Sequence, residues 1–388
     1  MTPAARISAA IEILDRVLAG APAERELTNW GRANRFAGSK DRAAIRDHVF
    51  DALRCLGSFA ALGGARTGRG VMLGALRASG QDVAALFSGE RFAPAVVTES
   101  EAAALDAPAP DDLAQFDWPA WMLPQLREAL GDDFGTVSEV MRQRAPVTLR
   151  VNIARATRPE MIEALAAEGI QTLPHETVET ALIVTDGARR VQTSQAYLTG
   201  LVEVQDASSQ AAVGLIPVPD RARVLDYCAG GGGKALALAA RFPDSQIFTH
   251  DIDAGRMRDI PVRAERAGVN LHVLPPGKPE KSYDVVLVDA PCSGSGTWRR
   301  SPEAKWRLTP ERLDGLVRIQ SQVLDNASKL VSSGGALVYM TCSVLPCENH
   351  DRIAHLAADG RWSLEAAQRW LPDPQGDGFY YATLRKLA

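Results

Sequence analysis

An α/β fold is what this 388-residue sequence predicts: a parallel sheet in the C-terminal half, a small mixed module before it and an all-helical N-terminal region. Three observations carry that reading. From Asp206 onward, apolar runs (Val224-Leu225, Ile247-Phe248, Val285-Val286-Leu287-Val288, Ala336-Leu337-Val338-Tyr339) alternate with helical stretches, the pattern of βαβ units. Between Val147 and Val204, strand-like and helical segments mix in short lengths. Residues 1–105 space their apolar side chains three and four apart, with no convincing alternation of period two. A chain this long exceeds one compact core, so two or three domains are expected.

In the N-terminal region, Ile7, Ile11, Leu14 and Leu18 form one apolar stripe and Ile45, Val49, Leu53 and Leu56 a second. Glu12 and Asp15 interrupt the first stripe, unlike the apolar region of a secretory leader. Arg32, Arg35, Lys40, Arg42 and Arg46 make a basic cluster there, which reads as a solvated helical face or as a contact for a polyanion. The acidic, proline-bearing stretch 106–112 reads as a linker. Beyond it come an alternating segment, Thr148-Leu149-Arg150-Val151-Asn152, a helix carrying Met161 and Leu165 that ends at Gly169, and strand-like Ala181-Leu182-Ile183-Val184.

Composition narrows the classes of function. A net charge of −4 argues against polyanion binding through the overall field and leaves local patches to be judged separately. Five cysteines, without a C-x-x-C pair, suggest a reducing compartment, and cytoplasm is the expected location. No stretch approaches 18 apolar residues, so no membrane span is expected. The six histidines are scattered, and no metal site is expected.

The chemistry concentrates at the ends of the predicted parallel strands, where open α/β sheets bind ligands. After Arg223-Val224-Leu225-Asp226-Tyr227, the run Cys228-Ala229-Gly230-Gly231-Gly232-Gly233-Lys234 leads into an alanine-leucine-rich helix. Glycines let backbone approach a ligand closely, and the helix start offers amides and a positive dipole end to a carboxylate or phosphate. Asp251 ends the next strand, about twenty residues on, where an acid accepts bonds from ribose hydroxyls. Asp253 is the better candidate to cap the next helix. A dinucleotide fits less well than S-adenosylmethionine, because the loop ends in a lysine and no hydride chemistry is evident. Asp289-Ala290-Pro291-Cys292 and Thr341-Cys342-Ser343 each follow an apolar run, so two thiols converge on the same edge.

Asp289-Ala290-Pro291-Cys292-Ser293-Gly294-Ser295-Gly296, together with Thr341-Cys342-Ser343-Val344-Leu345-Pro346 and Glu348-Asn349, resembles the Sun/Nop (Fmu-like) family of RNA cytosine-5 methyltransferases. The likeness extends to Cys228–Lys234, Val204-Gln205-Asp206-Ala207-Ser208-Ser209-Gln210, Lys305-Trp306 and Gly378-Phe379-Tyr380. Leu149-Arg150-Val151-Asn152 resembles that family's RNA-recognition-type module, and residues 1–105 are similar to the NusB-like domain of its bacterial ribosomal RNA members. The resemblance implies three parts: a helical NusB-like RNA-binding domain at 1–105, a small α/β RNA-recognition-type module at 112–204, and a Rossmann-like S-adenosylmethionine-dependent methyltransferase domain at 205–388. Two departures stand out. The family's loop usually reads Cys-Ala-Ala-Pro-Gly-Gly-Lys, where this chain has four glycines, and Val273-Leu274-Pro275-Pro276-Gly277-Lys278 lacks the family's adenine-side acid.

The resemblance also implies roles. Cys342 is the nucleophile that adds to cytosine C6 and turns an unreactive C5 into an enamine. Cys292 assists breakdown of the adduct, and Asp289 contacts cofactor and base and handles a proton at N3. Cofactor-binding positions are Cys228, Ala229, Gly230, Gly231, Gly232, Gly233, Lys234, Asp251 and Asp289. Cys55 and Cys347 are expected to be structural. The partner is RNA, expected to be ribosomal, with no membrane, no metal and no obligate protein partner. Because C6 is reached only in an unstacked base, Trp298, Arg299, Arg300, Lys305, Trp306 and Arg307 suit stacking and phosphate contact, against the alternative that the tryptophans pack inside. A different class, an RNA-binding assembly factor that kept the fold and lost turnover, would bind cofactor and RNA without methylating.

Overall fold

The computed structural model describes every residue except Pro276, Lys278, Glu280, Lys281, Asp359 and Ala388. It divides into two units, Met1–Arg144 with Trp298–Arg307, and Ala145–Thr297 with Leu308–Ala388.

The first unit is helical, with helices Pro3–Leu18, Ala23–Ala33, Ser39–Arg54, Leu56–Leu62 and Gly68–Ala78 around one core. Both sequence stripes feed that core. Ile7, Leu14, Ile45, Val49, Leu53 and Leu56 are buried, while Ile11 and Leu18 pack at its margin. Thr2 and Thr67 begin two of the helices by accepting the amides of Ala5 and Gly70. Helix Glu99–Asp106 ends where the acidic stretch begins, and helices Leu123–Leu130 and Phe134–Met141 come after it.

The segment Trp298–Arg307 completes this unit, and its tryptophans pack inside, the alternative to an RNA approach. It finishes helices that would otherwise end with unsatisfied backbone groups. Lys305 Nζ donates to the Arg54 carbonyl at 3.0 Å and Trp306 Nε1 to the Leu53 carbonyl at 2.7 Å, at the C-terminal end of helix Ser39–Arg54. Glu303 accepts the Ala23 amide at 2.9 Å, at the start of helix Ala23–Ala33. Trp298, Arg299 and Lys305 are 1%, 1% and 2% exposed. Lys305 lies 4.9 Å from the Trp306 ring centre, a cation–π contact, and burial lowers its pKa to about 8.

The second unit contains two sheets. In the smaller, strands β1 (Val147–Val151), β2 (Gln171–Pro174), β3 (Ala181–Asp186) and β4 (Val202–Val204) are antiparallel in the order β2-β3-β1-β4. Leu149, Val151, Leu182 and Val202 pack with Met161 and Leu165 of helix Arg158–Ala167.

The larger sheet has seven strands: β5 (Arg223–Asp226), β6 (Gln246–Thr249), β7 (His272–Val273), β8 (Tyr283–Asp289), β9 (Val331–Thr341), β10 (Trp362–Trp370) and β11 (Phe379–Lys386), in the order β10-β11-β9-β8-β5-β6-β7. β5 to β9 pair in parallel, and β10 and β11 add antiparallel strands at one edge. Val224, Val285, Leu287 and Val338 are fully buried, which explains the continuous apolar runs: both faces of the sheet are covered. Strand order reverses at β5, between β6 and β8. The crevice beyond these strand ends is the expected ligand position.

Candidate active site

The glycine run bridges β5 and helix Gly233–Arg241. Gly230 and Gly232 have φ of 51° and 78°, a left-handed backbone that favours glycine. A Cβ at Gly232 would also stand 2.9 Å from Ile260. Asp251, 2% exposed at the end of β6, accepts the Gly230 amide at 2.9 Å and the Asp253 amide at 3.0 Å and pairs with Arg256 at 3.2 Å. Asp253 caps the short turn Ala254–Met257 through the Gly255 amide, as expected. The fit to S-adenosylmethionine is chemical: a helix start for the aminoacyl carboxylate, and a buried acid one strand over for the ribose. On the adenine side, Pro276 and Lys278 lie outside the described residues, while His250 bridges the carbonyls of Tyr227 and Gly277 at 2.9 and 3.0 Å.

Lys234 is engaged by a carboxylate of the protein itself. Its Nζ donates to Asp289 Oδ2 at 2.5 Å and stands 5.3 Å from the centre of the Phe379 ring. Asp289 ends β8, so this ion pair ties the glycine loop to the Asp-Ala-Pro-Cys motif. Asp226 ends β5 with one buried carboxylate oxygen lacking a hydrogen-bond partner. Burial, then the nearby charge of Asp289, raises its pKa to about 7.

Cys292 and Cys342 meet with their sulfurs 3.5 Å apart, delivered by the chain beyond β8 and by the end of β9. The two thiols are unequal. Cys342 is lowered, chiefly because Cys292 donates to its sulfur, with the Lys234 ammonium and the Thr297 hydroxyl adding to the effect. Cys292 is raised by its hydrogen bond with Cys342, by burial and by the nearby carboxylate of Glu348. The contact between the two sulfurs therefore favours the proton on Cys292 and ionisation at Cys342. Burial raises the other thiols too: Cys55 and Cys347 to about 11, and Cys228 well above the usual range.

What holds the two cysteine loops together is a residue whose function the motif did not reveal. Glu348, 0% exposed, accepts the Ser293 amide at 2.8 Å, the Ser293 and Ser343 hydroxyls each at 2.5 Å, and Gln320 Nε2 at 3.0 Å. Ser293 succeeds Cys292 and Ser343 succeeds Cys342, so one carboxylate grips both loops. Ser295 and Ser343 join hydroxyls at 2.9 Å, and Gly296 donates to the Cys342 carbonyl at 3.0 Å. The available signal was an acid six residues beyond Cys342 beside two serine-bearing loops.

A Rossmann-type sheet that gathers a glycine loop, a buried acid and a cysteine pair at its strand ends defines an S-adenosylmethionine-dependent methyltransferase. The profile described as 16S rRNA methyltransferase RsmB/F matches residues 212–385, and that of the RsmF/B-like ferredoxin-like domain matches 118–192. Ribosomal RNA small subunit methyltransferase B of Citrobacter koseri is 32% identical over 289 residues, covering 70% of this chain and 67% of the relative. The protein of that name from Yersinia enterocolitica is 34% identical over 286 residues, 69% of this chain and 66% of the relative. The chain thus spans about two thirds of the length of these relatives. The crystal structure of PH0851 shares the fold with a TM-score of 0.75 at 23% identity, over 100% of this chain and 99% of that one. A methyltransferase homologue from Pyrococcus horikoshii aligns with a TM-score of 0.61 at 25% identity, over 71% and 98%. The chain belongs to the RsmB/F family of 16S rRNA methyltransferases, in line with the sequence resemblance. Among the described residues, no cluster suited to a metal ion occurs and no helix is long and apolar enough to cross a membrane.

Proposed function

We propose that this protein methylates C5 of a cytosine in small-subunit ribosomal RNA, in the cytoplasm, with Cys342 as nucleophile, Cys292 as release partner and Asp289 as the acid facing the base. The observation that carries the reading is the pair of sulfurs 3.5 Å apart, beside the Lys234–Asp289 ion pair. Cys342 attacks C6 of an unstacked cytosine as the thiolate, and Asp289, held by Lys234, handles the proton at N3. S-adenosylmethionine supplies the methyl group. Cys228 to Lys234 and Asp251 would hold it, through the loop amides and the Asp251 carboxylate. A base then removes the C5 proton, the electrons of that bond re-form the C5–C6 double bond, and Cys342 leaves C6 as the thiolate, a release that Cys292 assists.

The three-part division drawn from the sequence supports docking by the N-terminal parts. In the helical unit Arg32, Arg35, Phe36, Lys40 and Arg42 form a basic and aromatic set, largely exposed and suited to folded RNA. Bisulfite sequencing of total RNA from cells with the gene, without it, and with Cys342→Ala tests the activity. Loss of the same one or few methylcytosines in both altered strains is expected, and an unchanged map would reject the reading. Cys292→Ala is expected to accumulate a protein–RNA adduct that survives denaturing gels; active wild-type protein with no adduct in the variant would remove the release role.

A further inference from the structure

The four-glycine loop is held from outside by guanidinium groups. Arg150, on β1 of the small sheet, is 6% exposed, and its Nη1 donates to the Gly233 carbonyl and to Gln205 Oε1, each at 2.6 Å. Arg263 of helix Ile260–Ala267 also donates to the loop, at the Gly231 carbonyl, and pairs with Glu203 at 2.9 Å. Glu203, 4% exposed, lies opposite Arg150 in the β1–β4 ladder and also pairs with Arg266.

Burying a guanidinium is costly unless it is paired and hydrogen-bonded, so its placement calls for a reason. Burial lowers the pKa of Arg150 to about 10, and Glu203 offsets part of that effect. Two arginines pair with that one carboxylate and Arg150 lies near it, so the back of the loop carries an excess of positive charge, the sign that suits an anionic ligand group in front. Four consecutive glycines lose more conformational entropy on ordering than any other residues would. Two guanidinium contacts on loop carbonyls restore the order that the loop's own side chains do not supply.

We infer that Arg150 is a positioning residue for the cofactor loop: the small sheet module, besides any part in RNA recognition, sets the shape of the S-adenosylmethionine site, with Arg263 as a second anchor on the loop. The inference rests on assigning Gly230–Gly233 to that cofactor. Removing the guanidinium frees the Gly233 carbonyl, and the loop must then be ordered by the ligand itself.

The test is calorimetric titration of the full chain with S-adenosylmethionine, without RNA. Arg150→Met keeps much of the length of the side chain and loses the donors; it is expected to bind at least tenfold more weakly, with Arg150→Lys recovering part of the loss. Arg263→Leu, at a site that tolerates change because its side chain is 25% exposed, is expected to weaken binding several-fold and covers the case in which Arg150→Met does not fold. Each variant is titrated well below its own unfolding midpoint, and steady-state assays on RNA should show the defect in KM for the cofactor with kcat nearly retained. Wild-type protein that binds no cofactor would overturn the loop assignment and the inference together. Wild-type binding matched within twofold by the folded variants would overturn the inference alone.

Discussion

Glu348 works as a clasp at the scale of single residues, and its removal tests how the two cysteines divide their work. Glu348→Ala removes the acceptor of the Ser293 amide and of two hydroxyls, and one of the two acceptors of Gln320 Nε2. A cost of about 3–5 kcal/mol is expected in urea denaturation, the scale for breaking a buried charged network. The same carboxylate adds to the hydrogen bond with Cys342 and to burial in raising Cys292, so iodoacetamide at neutral pH should label Cys342 ahead of Cys292 in the wild type, with the gap narrowed in the variant. Mass spectrometry of the labelled peptides decides it; an unchanged gap in the variant would show that Glu348 has no part in the asymmetry.

Asp226 provides a pH test on the same scale. Its folded pKa of about 7 exceeds the ordinary value of 3.8, because burial penalises the carboxylate. Between those pH values the folded state binds a proton that the unfolded state has released, so this group's contribution falls as pH rises and is complete only below about pH 4. Asp226→Asn should match wild type near pH 4 and exceed it at pH 8 by a few kcal/mol, measured as urea midpoints across that range. Equal midpoints for the two proteins at every pH would discount the buried acid. The positions of Cys292, Cys342 and Asp289 were legible from their motifs, because each comes after an apolar run that ends at a sheet edge. Their grip by Glu348 and Lys234 was not, because it depends on loop paths that bring serines, a lysine and carboxylates together across large sequence separations.

Elements show a different limit. Trp298, Arg299, Lys305 and Trp306 have the composition of a nucleic-acid contact and serve instead within the helical unit, where Lys305 and Trp306 finish a helix. Composition cannot distinguish an arginine meeting phosphate from one buried among backbone carbonyls; both need donors and an aromatic neighbour. Trp298→Ala is expected to lower stability by about 3–5 kcal/mol, the cost of truncating a buried tryptophan, measured by denaturant unfolding of the helical unit's circular dichroism. A loss below about 1 kcal/mol would place the ring outside the core. The parallel strands, by contrast, were readable almost in full, since burial on both faces writes itself as uninterrupted Val, Leu and Ile runs. The antiparallel edge formed by β10 and β11 was less legible: Trp362–Trp370 is mostly exposed and lacks such a run.

For the whole molecule, neither unit is one continuous stretch of chain. Residues 145–388 alone would carry Trp298–Arg307 without the helices whose ends it satisfies, and residues 1–144 alone would lack their caps. Each fragment is expected to be less soluble than the full chain, by sedimentation of expressed protein. Recovery of the 145–388 fragment when Trp298 and Trp306 are replaced by serine would locate the cause in this segment; no recovery would assign it elsewhere.

That interrupted connectivity also sets an order of events during synthesis. A nascent chain emerges N-terminus first, at about 5–20 residues per second. The helices of the first unit therefore leave the ribosome well before the strand and loop that carry Cys292, and wait for Glu303, Lys305 and Trp306 before their ends are sealed. Those N-terminal helices are thus finished only after Lys305, 251 residues downstream of Arg54, has emerged, and their closure reports that the Cys292 loop has already been translated.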